Sequence, residues 1–177
     1  GKLYPSDHPC SGGKIELKYM TAKEEDILTS QNLIKKGIVI DKLLNSLIVT
    51  PNMTADDLLV GDKNAVMVAS RILAYGGNYK AQIINPNTGD KEEHEFDLTT
   101  CEFKDLPEDI VYDKNEFEMI LPITKVNISY KLLTGKEEAA ITQELKSLQK
   151  IGQNAEVTTR LKHVITSVNG ESDKSVI

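Results

Sequence analysis

The spacing of the apolar residues changes twice along the chain, and this change limits the fold more than any other feature. Between residues 27 and 74, apolar side chains recur at the three- and four-residue intervals of helices. Between 79 and 132 they alternate with polar residues, as in half-buried strands, and from 134 to 164 the helical spacing returns. The sequence therefore predicts an α+β fold with a helical N-terminal part, a protruding β-hairpin, a small mostly antiparallel sheet and helices near the C-terminus.

Thr21 and Thr134 each stand at a predicted helix start. Each threonine is followed three residues later by a glutamate, which is the capping-box pattern. The similarity is wider, because residues 15–25 align without a gap on residues 128–138. Two interpretations are open: two strand-to-helix junctions use the same capping chemistry, or the chain contains a duplicated unit with a hairpin inserted between its copies.

Local breaker and turn residues predict the other boundaries. We expect a strand over 14–20, a break in the following helical stretch near Ser30 or Gly37, and a helix with Asp62 as its N-cap. The other predicted strands are 79–84, 94–98, 117–121, 125–132 and 165–168, and the later helices are 134–150 and 155–164.

A strong turn signal, Asn-Pro-Asn-Thr-Gly-Asp, occupies residues 85–90 between two alternating segments. It predicts a hairpin inserted at about 78–98 into a single α+β domain that covers 14–177. The residues before that domain, 1–13, contain two prolines and three glycines. They are expected to form an extended arm.

The composition excludes several classes of function. The net charge is −6, the isoelectric point is near 5.2, and there is no tryptophan, so a nucleic-acid binder is not expected. The longest apolar run, residues 65–69, is far below the roughly 20 residues of a membrane-spanning helix. Two cysteines without a framework pattern favour a reducing compartment.

Metal and nucleophile chemistry have few candidate residues. His8, Cys10, His94 and Cys101 could in principle hold zinc, but no two cysteines have the usual short spacing. Cys101 with His94 could form a nucleophile pair, although nothing in the sequence supplies a third group. His163 falls at a helix edge, where packing or capping is expected. We therefore predict no catalytic residue, no metal and no cofactor, with a small cytoplasmic Cys/His enzyme as a distant alternative.

Six short segments occur in an order that resembles the baseplate hub protein family of T-even-type contractile-tailed bacteriophages. They cover nearly the whole chain. The segments are residues 1–5 (GKLYP), 20–28 (MTAKEEDIL), 58–64 (LLVGDKN), 71–76 (RILAYG), the hairpin, and 165–170 (ITSVNG).

The resemblance implies a non-enzymatic structural component of the tail baseplate, made in the host bacterial cytoplasm. It would act in tail assembly through contacts with other baseplate or tail proteins, as part of a large hetero-oligomer with no nucleic acid and no membrane span. A baseplate-hub assembly chaperone that is absent from the mature virion is the alternative.

Many members of that family carry a Cys-Pro-x-Cys-Gly knuckle in the hairpin turn. Here Pro86 and Gly89 remain, whereas Asn85 and Thr88 occupy the positions of the thiolates. Because asparagine and threonine are poor zinc ligands, the departure predicts a plain turn without metal.

The arm provides the candidate partner-binding residues, Leu3, Tyr4 and Pro5. Ordering a segment costs roughly 1–2 kcal/mol per residue in backbone entropy, which a neighbouring subunit could offset. A tyrosine buries a large area at low entropic cost. We expect early proteolysis before Lys14 in the free protein and protection in assembled baseplates.

The C-terminal residues follow a turn signal at Asn169 and Gly170. Residues 173–177 resemble the first turn of a helix, which is too short to be stable alone. We expect the biological chain to continue beyond Ile177.

Overall fold

A computed structural model describes residues 1–102, 107 and 112–173. In the part that it describes, six α-helices accompany two small antiparallel sheets, one of two strands and one of three. The predicted α+β class is confirmed, with helices first, a hairpin in the middle and helices again near the C-terminus. The predicted helix opening at 173–177 lies almost wholly outside the described residues.

The helices are α1 Ala22–Thr29, α2 Gln31–Lys36, α3 Val39–Leu47, α4 Val60–Tyr75, α5 Gly135–Lys150 and α6 Glu156–Val164. The strands are β1 Asn78–Ile84, β2 Lys91–Asp97, β3 Phe117–Ile120, β4 Asn127–Tyr130 and β5 Ile165–Val168. Short 3₁₀ helices occupy Ala55–Asp57 and Leu98–Thr100.

The backbone divides into two compact units. Unit 1 consists of Gly1–Lys14, Pro51–Lys63 and Tyr112–Ile177. Unit 2 consists of Ile15–Thr50 and Asn64–Val111. The expected single domain over 14–177 stays a prediction, and each unit is described by itself.

Unit 2 has its core on α3. Leu43, Leu44 and Leu47 of this helix are buried, and α1 packs against it. Unit 1 has its core where α5 packs on the 3₁₀ helix Ala55–Asp57. Ile141 and Leu58 are fully buried there.

The two aligned segments fold in the same way at their helix starts. In unit 2, the Glu24 carboxylate accepts hydrogen bonds from the Thr21 amide at 3.0 Å and from Lys18 at 2.8 Å. In unit 1, the Glu137 carboxylate accepts from the Thr134 amide at 2.8 Å and also binds Lys131. The helix starts predicted from Thr21 and Thr134 are therefore confirmed.

Glu24 does more than cap α1. Its side chain is fully buried, and it also accepts a hydrogen bond from Ser46 of α3 at 2.6 Å. The hydrogen bonds from Lys18, Ser46 and Thr21 hold the pKa of Glu24 well below its usual range. The carboxylate thus stays charged and ties α1 to α3.

The predicted break in the first helical stretch occurs at both candidate positions. Ser30 separates α1 from α2, and Gly37 ends α2 with a left-handed φ of 69°, a conformation that glycine adopts without strain.

Two local predictions were wrong. The strand expected over 14–20 is a single bridge between Leu17 and Ile48, because the segment after α3 that could pair with it soon reaches Pro51. Asp62 does not cap α4, which begins two residues earlier at Val60. Leu59 bridges to Thr134 and the Val60 amide donates to the Leu133 carbonyl, so tertiary pairing fixes the start of the helix.

The predicted strands of the hairpin and of the C-terminal region are present, but β2 begins at Lys91, three residues before its predicted start at 94. β1 pairs with β2 in a register that places Tyr79 opposite Phe96. β4 lies between β3 and β5, with an irregularity at Ser129 and Tyr130. The turn at Asn169 and Gly170 is confirmed, since both residues have positive φ angles, 49° and 84°.

Replacing Thr21 with alanine should lower the free energy of unfolding by about 1 kcal/mol, because the N-cap position loses the hydroxyl that donates to the Glu24 carboxylate at 2.6 Å. Urea unfolding followed by circular dichroism measures this loss. Thr21→Ser, which keeps a hydroxyl, is the control and should stay within a few tenths of a kcal/mol of the parent. Equal losses in the two variants would contradict the capping role.

Candidate partner-binding surface

The N-terminal segment, residues 1–13, holds the predicted partner contacts and folds as a series of turns in unit 1. Backbone hydrogen bonds of 2.9–3.1 Å close these turns, from Tyr4 to Gly1, His8 to Pro5, Ser11 to His8 and Gly13 to Cys10. The Gly1 ammonium group also donates to the Cys10 carbonyl. That the segment orders on a partner stays a prediction.

Tyr4 attaches this segment to the rest of unit 1. Its hydroxyl donates to Asp62 at 2.6 Å and accepts from the Leu59 amide at 2.8 Å. Its ring stacks on His8, with 4.5 Å between the ring centroids. Burial and the hydrogen bond to Asp62 raise the pKa of Tyr4 well above its usual value, so it remains a neutral donor. No sequence pattern indicates Asp62 or Leu59 as a partner of Tyr4.

Leu3, Tyr4 and Pro5 line a cavity of about 440 Å³ within unit 1. Leu3 and Tyr4 are half-buried and Pro5 is exposed. The charged residues around the cavity are Asp57, Asp113, Glu137, Lys114 and Lys131. The structure thus brings the three predicted residues together at one concave surface with apolar and charged walls.

Asn115 also lines this cavity. Its side chain donates to the Leu132 carbonyl at 2.8 Å and accepts from the Leu132 amide at 2.9 Å. Both backbone groups of Leu132, which follows β4, are therefore satisfied by one side chain. These two hydrogen bonds attach the loop at 113–115 to the residue that follows β4 by two positions.

Asp57 is held at this surface by three contacts. Its carboxylate lies 2.5 Å from the Lys136 amine and accepts from the Thr54 amide and hydroxyl, each at 2.8 Å. The hydrogen bond from Lys136 is the largest cause that lowers the pKa of Asp57 to about 2. The pair joins the 3₁₀ helix Ala55–Asp57 to the first turn of α5.

This pKa makes part of the stability depend on pH. Because the folded-state pKa lies below the unfolded value of about 4, Asp57 contributes stability above pH 4 that is lost as the pH falls towards 2. In the parent protein, the free energy of unfolding should differ between pH 6 and pH 2. In Asp57→Asn this difference should be smaller by about 1–2 kcal/mol. Lys136→Met should reduce the same difference. Urea titrations across this range measure it, and unchanged profiles in both variants would contradict the assignment.

The cysteines and histidines named as metal or nucleophile candidates have other contacts. Cys10 is buried with its sulfur 3.3 Å from that of Met53, and burial raises the pKa of its thiol. His8 accepts from the Cys10 amide at 3.1 Å. Cys101 is exposed. Among the described residues, no group of three His, Cys, Asp or Glu side chains could hold a metal ion.

His94 and His163, the other two histidines, each lie beside a carboxylate. His94 is 3.4 Å from Glu92 on β2, and His163 is 3.2 Å from Glu144. His163 lies in the last turn of α6, as the sequence predicts.

The hairpin tip does not fit the metal knuckle that the resemblance suggests. The Asn85 side chain accepts from the Asn87 amide at 3.0 Å, and the Thr88 hydroxyl accepts from the Asp90 amide at 3.2 Å. Side-chain oxygens thus close the turn at the two positions where thiolates would bind metal. Gly89, with φ of 78°, completes it.

Comparisons with known proteins identify the family. In the described part of the chain, no helix has the length and apolar character required to cross a membrane. Neither the curated proteins nor the solved structures gave a significant match. A family model described as "T4 bacteriophage base plate protein" matches residues 4–159, which is most of the chain. The chain therefore belongs to the T4 bacteriophage base plate protein family.

Proposed function

We propose that the protein is a non-enzymatic structural component of the hub region of the phage tail baseplate, where it acts through protein–protein contacts in tail assembly. Family membership supports a structural role in the baseplate. The order of the six sequence segments supports the assignment to the hub. The protein is made in the host cytoplasm and enters a large hetero-oligomer of baseplate proteins.

The observation that carries this proposal is the surface formed by Leu3, Tyr4 and Pro5. Tyr4 is committed to its own chain through Asp62 and Leu59, so it positions the segment. Leu3 and Pro5 then present apolar surface beside a cavity with charged walls. An apolar centre with a charged rim is the usual anatomy of a protein–protein interface.

Cross-linking mass spectrometry of purified tails tests the proposal. Lys114 lines the cavity, and Lys2 precedes Leu3 in the chain. An amine-reactive cross-linker should therefore link each of these lysines to proteins at the centre of the baseplate. Cross-links only to peripheral proteins would contradict the hub assignment. If the chain is absent from purified tails, the structural role is wrong and the assembly chaperone is favoured.

A variant at the surface tests the role of Leu3. Leu3→Asp should reduce incorporation of the protein into tails at least tenfold, because a charge would be buried against the partner. Ile123→Asp is the matched control, since Ile123 is a 91% exposed apolar residue of the same unit that does not line the cavity. Both purified variants should unfold at the parent's urea midpoint. Equal incorporation of the two variants would contradict the proposed contact.

A further inference from the structure

The hairpin of β1 and β2 is a two-stranded sheet whose residues are nearly all exposed. All seven residues of β2 and six of the seven in β1 are exposed to solvent. Among the described residues, neither edge of this sheet carries a further strand. A two-stranded sheet alone is only marginally stable in water, and a third strand or packing against a helix stabilises it.

The hydrogen-bond pattern shows which backbone groups are free at the edge of β2. The Leu98 amide donates to the Gly77 carbonyl at one end of the ladder, and Asn85 donates to Asp90 at the other, each at 2.9 Å. Paired residues alternate along an antiparallel ladder. The amides and carbonyls of the intervening β2 positions 91, 93 and 95 therefore point away from β1.

The edge of β1 is partly occupied, which leaves β2 as the open one. The Arg71 guanidinium group donates to the Asn78 carbonyl at 3.2 Å. It also lies over the ring of Tyr79, 5.8 Å from its centroid. A strand added along β1 would have to displace this arginine, whereas a strand added along β2 would not.

The two faces of the hairpin have different chemistry. The register places Tyr79 and Ile83 of β1 on the same face as Phe96 of β2. These side chains are 44%, 41% and 44% exposed. His94, stacked against Phe96, lies beside them. An added strand that placed apolar residues on this face would extend the aromatic row and cover it.

The opposite face carries an excess of negative charge. Lys80 lies between Glu93 and Glu95, at 3.9 and 4.0 Å, so one cation serves two carboxylates. In the paired register, this face carries three carboxylates, Glu93, Glu95 and Asp97, and two amines, Lys80 and Lys91. A second copy of β2 would bring like charges into opposition, which is unfavourable. A strand with lysine or arginine on this face would pair with the two glutamates.

We infer that β2 accepts, as a third strand, an extended segment of another baseplate protein that alternates basic and apolar residues. The basic residues lie beside Glu93 and Glu95, and the apolar residues lie beside His94 and Phe96. Main-chain hydrogen bonds supply the pairing, and the two faces supply the specificity. This inference rests on the proposed function only in taking the partner to be a baseplate protein.

A synthetic peptide tests the inference on the isolated protein. The probe alternates four lysines with three valines and so matches the seven residues of β2 in length. Amide hydrogen exchange measured by NMR should slow at Glu93 and Glu95 when this peptide is added. A peptide with its lysines and valines in separate blocks, and one that alternates glutamate and valine, should cause no such protection.

Charge reversal separates strand pairing from general attraction. Glu93→Lys combined with Glu95→Lys should weaken binding of the lysine peptide by roughly tenfold. The control reverses two exposed carboxylates elsewhere in unit 2, Glu16→Lys with Asp26→Lys, which changes the net charge equally and should have little effect. A cross-strand Overhauser effect between Tyr79 and Phe96 would show that the hairpin is intact.

Three results would overturn the inference. They are the absence of protection with the lysine peptide, protection on β1 instead of β2, and equal weakening in the two double variants. None of them bears on the cross-links that test the hub assignment, so the two proposals can fail independently.

Discussion

Replacing Gly135 with alanine should destabilise the protein by about 3 kcal/mol. Gly135 is the first residue of α5 and is buried, and its amide donates to the Leu58 carbonyl at 2.9 Å. A Cβ atom at this position would lie 2.8 Å from the Asp56 Cα and 3.1 Å from the Ala55 carbonyl oxygen. Because these are backbone atoms, they cannot rotate away, and α5 would have to shift. Urea unfolding measures the effect.

Gly61→Ala is the matched control for this prediction. Gly61 is the exposed second residue of α4, and a Cβ atom there would meet no atom within 4 Å. Since this exposed position is free of contacts, the substitution should change the free energy of unfolding by no more than about 0.5 kcal/mol. If Gly135→Ala were as stable as the parent, the close approach of α5 to the 3₁₀ helix Ala55–Asp57 would be wrong.

Leu44→Ala should lower the free energy of unfolding by about 2–5 kcal/mol, which is the usual loss when a fully buried leucine in a packed core is truncated. Leu44 is 0% exposed on α3, the helix that carries the core of unit 2. Ile40→Ala on the same helix is the control, because Ile40 is 38% exposed and should lose less than half as much. Chemical denaturation of both variants makes the comparison. Similar losses at the two positions would contradict the assignment of Leu44 to the buried face of α3.

The helix starts could be predicted from the sequence because their causes are local. Thr21 with Glu24, and Thr134 with Glu137, satisfy each other's backbone and side-chain groups within one helical turn. The aligned segments also share a lysine, Lys18 or Lys131, that binds the capping glutamate. Similar local chemistry thus gave similar helix starts, whether or not the two segments arose by duplication.

The prediction of a strand over 14–20 was wrong because the alternation of apolar and polar residues indicates which side chains are buried. It does not indicate which segments pair. Leu17 is half-buried, as the pattern predicts. A strand also needs a partner of similar length, and the only partner that this segment finds among the described residues is the short stretch around Ile48. Which segments meet is decided by the rest of the fold.

The candidate surface shows the same division between local and distant causes. Leu3, Tyr4 and Pro5 could be singled out because they are apolar residues in a turn-rich segment. The role of Asp62 could not be predicted, because its carboxylate binds Tyr4, which lies 58 positions away, instead of capping its own helix. No local pattern indicates a hydrogen bond over that separation.

The interleaving of the two units sets an order of events during synthesis. A ribosome delivers the chain from its N-terminus at about 5–20 residues per second. All of unit 2 has been made by residue 111, whereas unit 1 still needs residues 112–177. Until these emerge, the 3₁₀ helix Ala55–Asp57 lacks α5, the helix that packs on it. Translation therefore lets unit 2 close first, and a nascent chain stalled after residue 111 would expose an unfinished unit 1 to chaperones and proteases.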